Sequence, residues 1–338
     1  MIVNYYSLKK YFKFLKILYH KLFLLKQRYT IIREYSRSFK KIDAQKTYSY
    51  VYDTQNSPPK YGDFMHCLFL LRYLSFQVKE INFYFLMDMN NQDWNLLKNK
   101  SKVFSDIKIL IKFILPSNIK SHFIYADEFF KIESNKLNLI YKDYVMRRKP
   151  IYLHSVNMLS YIYKKNCCSK FLFDKLQIDK LVPSFFRNLD YVVLTARFDK
   201  NGDNSRDMTE HEFIKTIELI KSKTNKNLVI VSDEPGTKHF SKISEKYDFK
   251  VIFSRNHTSN FLENSLVCSH ASYFIQFKGG GLATLPIYSK RPYFINAFSY
   301  NDIYYKKNHI ASWAEKKQRY ICNDNFVKFF NGLKELKL

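Results

Sequence analysis

Glycine is scarce, with seven residues in a chain of 338. No G-x-G-x-x-G run and no Walker-type G-x-x-x-x-G-K-[S/T] loop occurs, so neither the dinucleotide fingerprint nor the common ATP loop is present. The five cysteines, Cys67, Cys167, Cys168, Cys268 and Cys322, form no matched C-x-x-C pairs, which excludes a zinc ribbon or a disulfide framework. They read as reduced, mostly buried thiols of a cytosolic protein, with Cys167 and Cys168 packed on a helix. The pairs His66-Cys67 and Cys268/His270 are too sparse for a zinc site, and no H-E-x-x-H or Ser-His-Asp order stands out. No run approaches the ~18 apolar residues of a membrane span. The N-terminus lacks a signal peptide's unbroken apolar core and cleavage site. The expected location is therefore cytoplasmic. With no RNP motif, zinc-finger spacing or helix-turn-helix, no specific nucleic-acid partner is expected.

What is present is a foldable composition, 46% hydrophobic and 18% aromatic, long enough for two domains. The formal charge is +26. Lys, Asn, Ile, Phe and Tyr abound while Gly and Ala are few, as expected from an AT-rich coding sequence, so part of the lysine excess is solvated surface. The remaining basic field favours anionic partners such as phosphates or acidic lipid.

Residues 1–46 carry twelve Lys/Arg against Glu34 and Asp43, with apolar residues every three or four positions. This spacing predicts a basic amphipathic helix. Two readings stay open for it: peripheral attachment to an anionic membrane surface at its inner face, or packing on its own domain or another subunit. Residues 47–175 then alternate strands and helices: strands at 47–53, 81–87 and 121–126, helices at 64–76 and 93–114, polar sequence to about 149, and a helix at 150–173. Residues 176–338 repeat the pattern more cleanly. Tyr191-Val192-Val193-Leu194-Thr195 is a β-branched run bounded by turn residues, as in a central parallel strand. A helix at 208–223, strands at 228–232, 250–253, 273–277 and 292–296, further helices at 236–247 and 260–269, and a terminal helix follow. The fold class is α/β, two Rossmann-like domains with a cleft between them.

Six of the seven glycines sit in strand-to-helix turns: Gly62, Gly202, Gly236, and Gly279, Gly280 and Gly281 together. In so glycine-poor a chain these positions imply positive φ or close backbone approach. Three glycines before a helix offer bare N–H groups and a positive dipole end suited to a phosphate. Arg197, at the carboxyl edge of the central strand, has a fork that can hold two phosphate oxygens, with Asp199 and Lys200 beside it. A salt bridge to Asp199 or Asp207 is the competing role for Arg197. Asp63, in the first strand-to-helix turn, is either a base facing the cleft or an N-cap. Asp233 and Glu234 either bind base or ribose hydroxyls or cap the helix after Pro235.

Together these features resemble a GT-B glycosyltransferase. Over about residues 190–285 the chain is similar to the α-1,6-fucosyltransferase and nodulation-fucosyltransferase group. The segment Arg197-Phe198-Asp199-Lys200-Asn201-Gly202 looks like that group's R-x-D-K-x-G, and Val229-Ile230-Val231-Ser232-Asp233-Glu234-Pro235 looks like its strand ending in an acidic pair and proline. Where the family reads His-x-Arg-Arg, this chain has Leu194, Thr195, Ala196 and Arg197, so only one arginine is carried over. Gly62-Asp63 before a helix resembles the Gly-Asp turn of heptosyltransferase-type acceptor domains. The resemblance implies a nucleotide-sugar donor of the GDP-fucose kind, bound around Ser232, Asp233 and Glu234, with Glu263 on the ribose. It implies a surface polysaccharide or lipid-linked oligosaccharide acceptor and no cofactor beyond the donor. The absence of any D-x-D pair points to transfer without a metal. A sugar-nucleotide epimerase of the same fold, and a non-enzymatic basic polyanion-binding protein, are the alternatives.

Overall fold

Tyrosines at every second position make Thr47–Asp53 a strand, β1, with Tyr48, Tyr50 and Tyr52 on one buried face. The computed structural model describes residues 29–33, 36, 42–54, 60–87, 100–125, 128–129, 139–144, 152–166, 168–198, 207–278, 280–297, 311–322 and 325–338. Every structural statement below concerns those residues. After β1 come α1 (Tyr61–Ser75), β2 (Glu80–Met87), α2 (Lys100–Ile114), β3 (Ile119–Tyr125) and β4 (Leu139–Tyr144). The four strands form a parallel sheet in the order β3-β2-β1-β4.

The second half begins after α3 (Tyr152–Asn166), α4 (Lys175–Leu181) and α5 (Ser184–Arg187). It contains β5 (Tyr191–Thr195), α6 (Glu210–Lys223), β6 (Asn227–Val231), α7 (Glu234–Lys246), β7 (Ile252–Phe253), α8 (Phe261–His270) and β8 (Tyr273–Gln276). Then come α9 (Thr284–Tyr288), β9 (Tyr293–Ala297), β10 (Gln318–Cys322) and α10 (Phe326–Lys334). These six strands are parallel in the order β10-β9-β8-β5-β6-β7.

The continuous apolar runs of this sheet divide between two cores with a period of two. Tyr191, Val193, Val229 and Val231 enter the core shared with the first half, while Val192, Leu194, Leu228 and Ile230 face α6, α7 and α10. Both faces are covered, which is why the strands read as unbroken hydrophobic runs. Local signals set the helix starts. Thr209 and Glu212 form a reciprocal capping box on α6, Asp233 caps α7 ahead of Pro235, and Asn260 caps α8.

The structure adds elements to the sequence reading. β4 lies in the stretch read as polar and weakly patterned, and β10 follows the strand expected to be last. Both are at sheet edges, where a strand needs no apolar run; β4 carries Lys142 and Asp143, β10 carries Gln318 and Arg319. α1 starts at Tyr61 rather than Phe64, which moves Gly62 and Asp63 from a turn into its first turn of helix. Within the basic arm, residues 29–33 are helical and Ile31 is buried in the shared core. The rest of the arm up to residue 41, Ser36 apart, lies outside the described residues. Among the described residues no helix is long and apolar enough to cross a membrane.

The halves meet along α1, which also packs on α3. Phe69 stacks on Tyr288 of α9 at 3.8 Å between centroids, and Trp313 stacks on Tyr288 at 5.3 Å. Trp313 donates its indole N–H to the Ile287 carbonyl at 2.9 Å, and Ser312 is hydrogen-bonded to Ser160 of α3. Nearby the two backbones touch through glycine. A Cβ on Gly62 would lie 2.8 Å from the Gly281 Cα, and one on Gly281 would lie 3.0 Å from the Gly62 nitrogen.

His66 sits in this seam with Nδ1 2.9 Å from the Tyr288 hydroxyl. Burial lowers its pKa from 6.5 to about 3. The folded chain therefore keeps His66 neutral where the unfolded chain takes up a proton. Its contribution is complete above pH 6.5 and is lost as the pH falls toward 3. The slope is about 1.4 kcal/mol per pH unit. Urea unfolding at pH 7 and pH 5 should show a larger loss in the wild-type chain than in His66→Gln. Equal losses would mean that His66 is protonated in the fold.

Candidate functional site

The strand order of the second sheet reverses between β5 and β8: the chain moves outward from β5 through β6 to β7, then returns to β8 on the other side. Open parallel sheets leave a crevice at the carboxyl ends of such strands. A cavity of about 330 Å³ lies there. Thr195, Ala196 and Arg197 reach it from β5, Val231, Ser232 and Asp233 from β6, and Gln276 and Phe277 from β8. Gly280 and Gly281 close one side, and Asn260, Phe261 and Asn264 line it from the start of α8. The first half supplies Tyr61 from α1 and Lys102 and Asp106 from α2.

The cationic groups at the cavity are Arg197, Arg255 and Lys102. Arg197 is about one-third exposed, with Nε 4.0 Å from Oδ1 of the buried Asp207. Its competing salt-bridge role is thus present, at the outer limit of an ion pair. Arg255 follows β7 in the same layer of strand ends and contacts Glu234 at 3.3 Å. The N-termini of α7 and α8 open onto the cavity, adding partial positive charge.

Ser232 donates its hydroxyl to the Ala196 carbonyl at 2.5 Å, tying the ends of β5 and β6 together. A Cβ at position 236 would collide with the Ser232 hydroxyl, so glycine there permits close packing of α7 on the strand end. Asp233 takes the Gly236 N–H at 2.9 Å, the capping alternative of the sequence reading. Glu234 turns outward to Lys238 and Arg255, and a hydrogen bond from Lys238, followed by the charges of both cations, holds its carboxyl below the usual range. It does not border the cavity, and neither does Glu263. That carboxylate binds the Ser259 N–H at 2.7 Å and the Asn260 amide at 3.0 Å, closing the turn into α8.

Asp63 lies in the first turn of α1, half-buried, and does not border the cavity. Gly280 has φ 154°, the positive region expected of this glycine turn. The space beside Gly281 is filled by the Gly62 backbone. Asp199, Lys200 and Gly279 lie outside the described residues.

Sequence reasoning missed Tyr61, Lys102, Asp106 and Arg255. Arg255 could have been found as the charged residue following a strand of the same sheet. The other three have no motif. Tyr61 donates its hydroxyl to Asp106 Oδ2 at 2.8 Å, and its ring stacks on Phe261 at 4.5 Å between centroids. Burial pushes the Tyr61 hydroxyl well above the ordinary tyrosine range, and the Asp106 hydrogen bond and charge push it further, so it stays a donor.

Strand order and cavity thus define a two-sheet, doubly wound α/β protein with a crevice at the seam of the halves. No protein-family model and no curated protein matches the chain. Among solved structures it is similar to the E. coli heptosyltransferase WaaC with ADP, at 9% identity and TM-score 0.47, covering 86% of this chain and 98% of that one. It is similar to a glycosyl transferase family 9 protein from Veillonella parvula, at 9% identity and TM-score 0.49, covering 87% and 90%. A UDP-GlcNAc 2-epimerase from Methanocaldococcus jannaschii gives 11% identity and TM-score 0.37, covering 87% and 93%. These are distant likenesses, and the architecture given above rests on the chain's own strand pairing.

Proposed function

We propose that the chain is a glycosyltransferase that moves a sugar from a nucleotide-diphosphate donor to a surface polysaccharide or lipid-linked oligosaccharide acceptor. The observation that carries this reading is the cavity at the strand-order reversal, bordered by Arg197, Arg255 and two helix N-termini on one side and by the other half of the chain opposite. Leaving-group departure from a nucleotide sugar places charge on a diphosphate. Preorganised cations and backbone dipoles stabilise that charge without reorganising during the reaction. Arg197 and Arg255 supply planar donors for phosphate oxygens, and the acceptor enters from the first half. The resemblance of Arg197–Gly202 to the fucosyltransferase segment supports a GDP-linked donor. The basic arm supports an acceptor at an anionic membrane surface.

Calorimetric titration with GDP, ADP, UDP and CMP, with and without magnesium, tests the reading. Micromolar binding of one nucleotide, unchanged by magnesium, is the expected result. Binding of none would overturn it.

A further inference from the structure

We propose that Asp106 is the group that takes the proton from the attacking hydroxyl, and that Tyr61 positions it. The inference rests on the nucleotide-sugar reading of the cavity. Among the described residues, the carboxylates bordering the cavity are Asp106 and Asp233. Asp233 is committed to capping α7 through the Gly236 N–H. Asp106 comes from α2, in the half opposite the strand ends that carry Arg197. It is 5% exposed. Its Oδ2 holds the Tyr61 hydroxyl at 2.8 Å. Tyr61 is itself fixed against Phe261, so residues from both halves set the direction of the carboxyl plane. Because Tyr61 remains a donor, it occupies Oδ2 and leaves Oδ1 as the oxygen for an incoming hydroxyl.

The step balances without a further reagent. The acceptor oxygen forms its bond to the anomeric carbon as its proton passes to Asp106. The bond from that carbon to the diphosphate oxygen breaks, and its electron pair leaves with the nucleoside diphosphate near Arg197.

Water can serve as the acceptor, so the test needs no knowledge of the natural one. Nucleoside diphosphate release is followed from GDP-fucose, GDP-mannose, UDP-glucose, UDP-N-acetylglucosamine and ADP-glucose, with binding of the free nucleotides measured in parallel. Loss of a general base costs about 10²- to 10⁴-fold. Asp106→Asn should bind the nucleotide within about threefold of wild type while its donor hydrolysis falls within that range. In Asp106→Ala, sodium azide should restore release and yield the glycosyl azide, because azide attacks without losing a proton. Tyr61→Phe should lower hydrolysis severalfold with nucleotide affinity unchanged. Wild-type hydrolysis by a folded Asp106→Asn, or no recovery with azide, would overturn the proposal. So would loss of nucleotide affinity alongside turnover, which would make the pair a structural strut. A wild-type chain that binds a nucleotide but cleaves no donor would overturn the inference alone; one that binds no nucleotide would remove the functional reading with it.

Discussion

Tyr288→Ala should destabilise the fold by about 3–5 kcal/mol, the range for removing a buried aromatic ring. Tyr288 is fully buried, and its ring stacks on Phe69 and Trp313 and meets Phe171 edge-on at 6.4 Å. The surrounding rings belong to α1, the segment between α3 and α4, and the segment before β10, so no single element can collapse into the space. His66 would also lose its partner at Nδ1. Tyr288→Phe keeps the ring and removes only that hydroxyl, and should cost about 1–3 kcal/mol. Denaturant unfolding of the three chains checks both values. A Tyr288→Ala loss below that of Tyr288→Phe would mean that the halves do not share one core.

Arg197→Ala should weaken nucleoside diphosphate binding about 10- to 100-fold, with little change in thermal stability. A hydrogen bond to a charged partner contributes about 1.5–3 kcal/mol, and each 1.4 kcal/mol is tenfold in affinity. The stability side follows from exposure: the guanidinium is about one-third exposed, and its contact with Asp207 is 4.0 Å, a pair of less than about 1 kcal/mol. Lys278, which donates to the Asp207 backbone carbonyl at 2.8 Å, stays beside that residue. Arg197→Lys should fall between the two, since it keeps the charge and loses the fork. Calorimetry at low and high salt reads the effect, and unchanged affinity in the alanine variant would remove Arg197 from the site.

The central sheet was legible because its signals are local and agree with one another. β5 and β6 are continuous apolar runs, Thr209 and Glu212 announce α6, and Asp233-Glu234-Pro235 announces α7. β4 and β10 escaped notice because edge strands carry no such run. The strand-end half of the site, Arg197, Ser232, Asp233 and the glycine turn, follows from knowing where parallel strands end. The half contributed by Tyr61 and Asp106 does not: the two are 45 residues apart on separate helices, and only the docking of the halves brings them to the cavity. Glu263 shows a further contrast between sequence position and observed contact. Its sequence position before the glycine loop fits a ligand contact, while its carboxylate is consumed by the backbone of the turn beside it.

The contact between Gly62 and Gly281 is backbone on backbone, with the Thr284 hydroxyl and the Phe261 ring beside it. Repulsion between such surfaces rises steeply on approach, whereas pulling them apart forfeits only a few dispersion contacts of ~0.1–0.2 kcal/mol each. It therefore behaves as a mechanical stop rather than a latch. It fixes the narrowest spacing that the crevice walls can reach beside Tyr61 and leaves the holding force to the aromatic seam behind it.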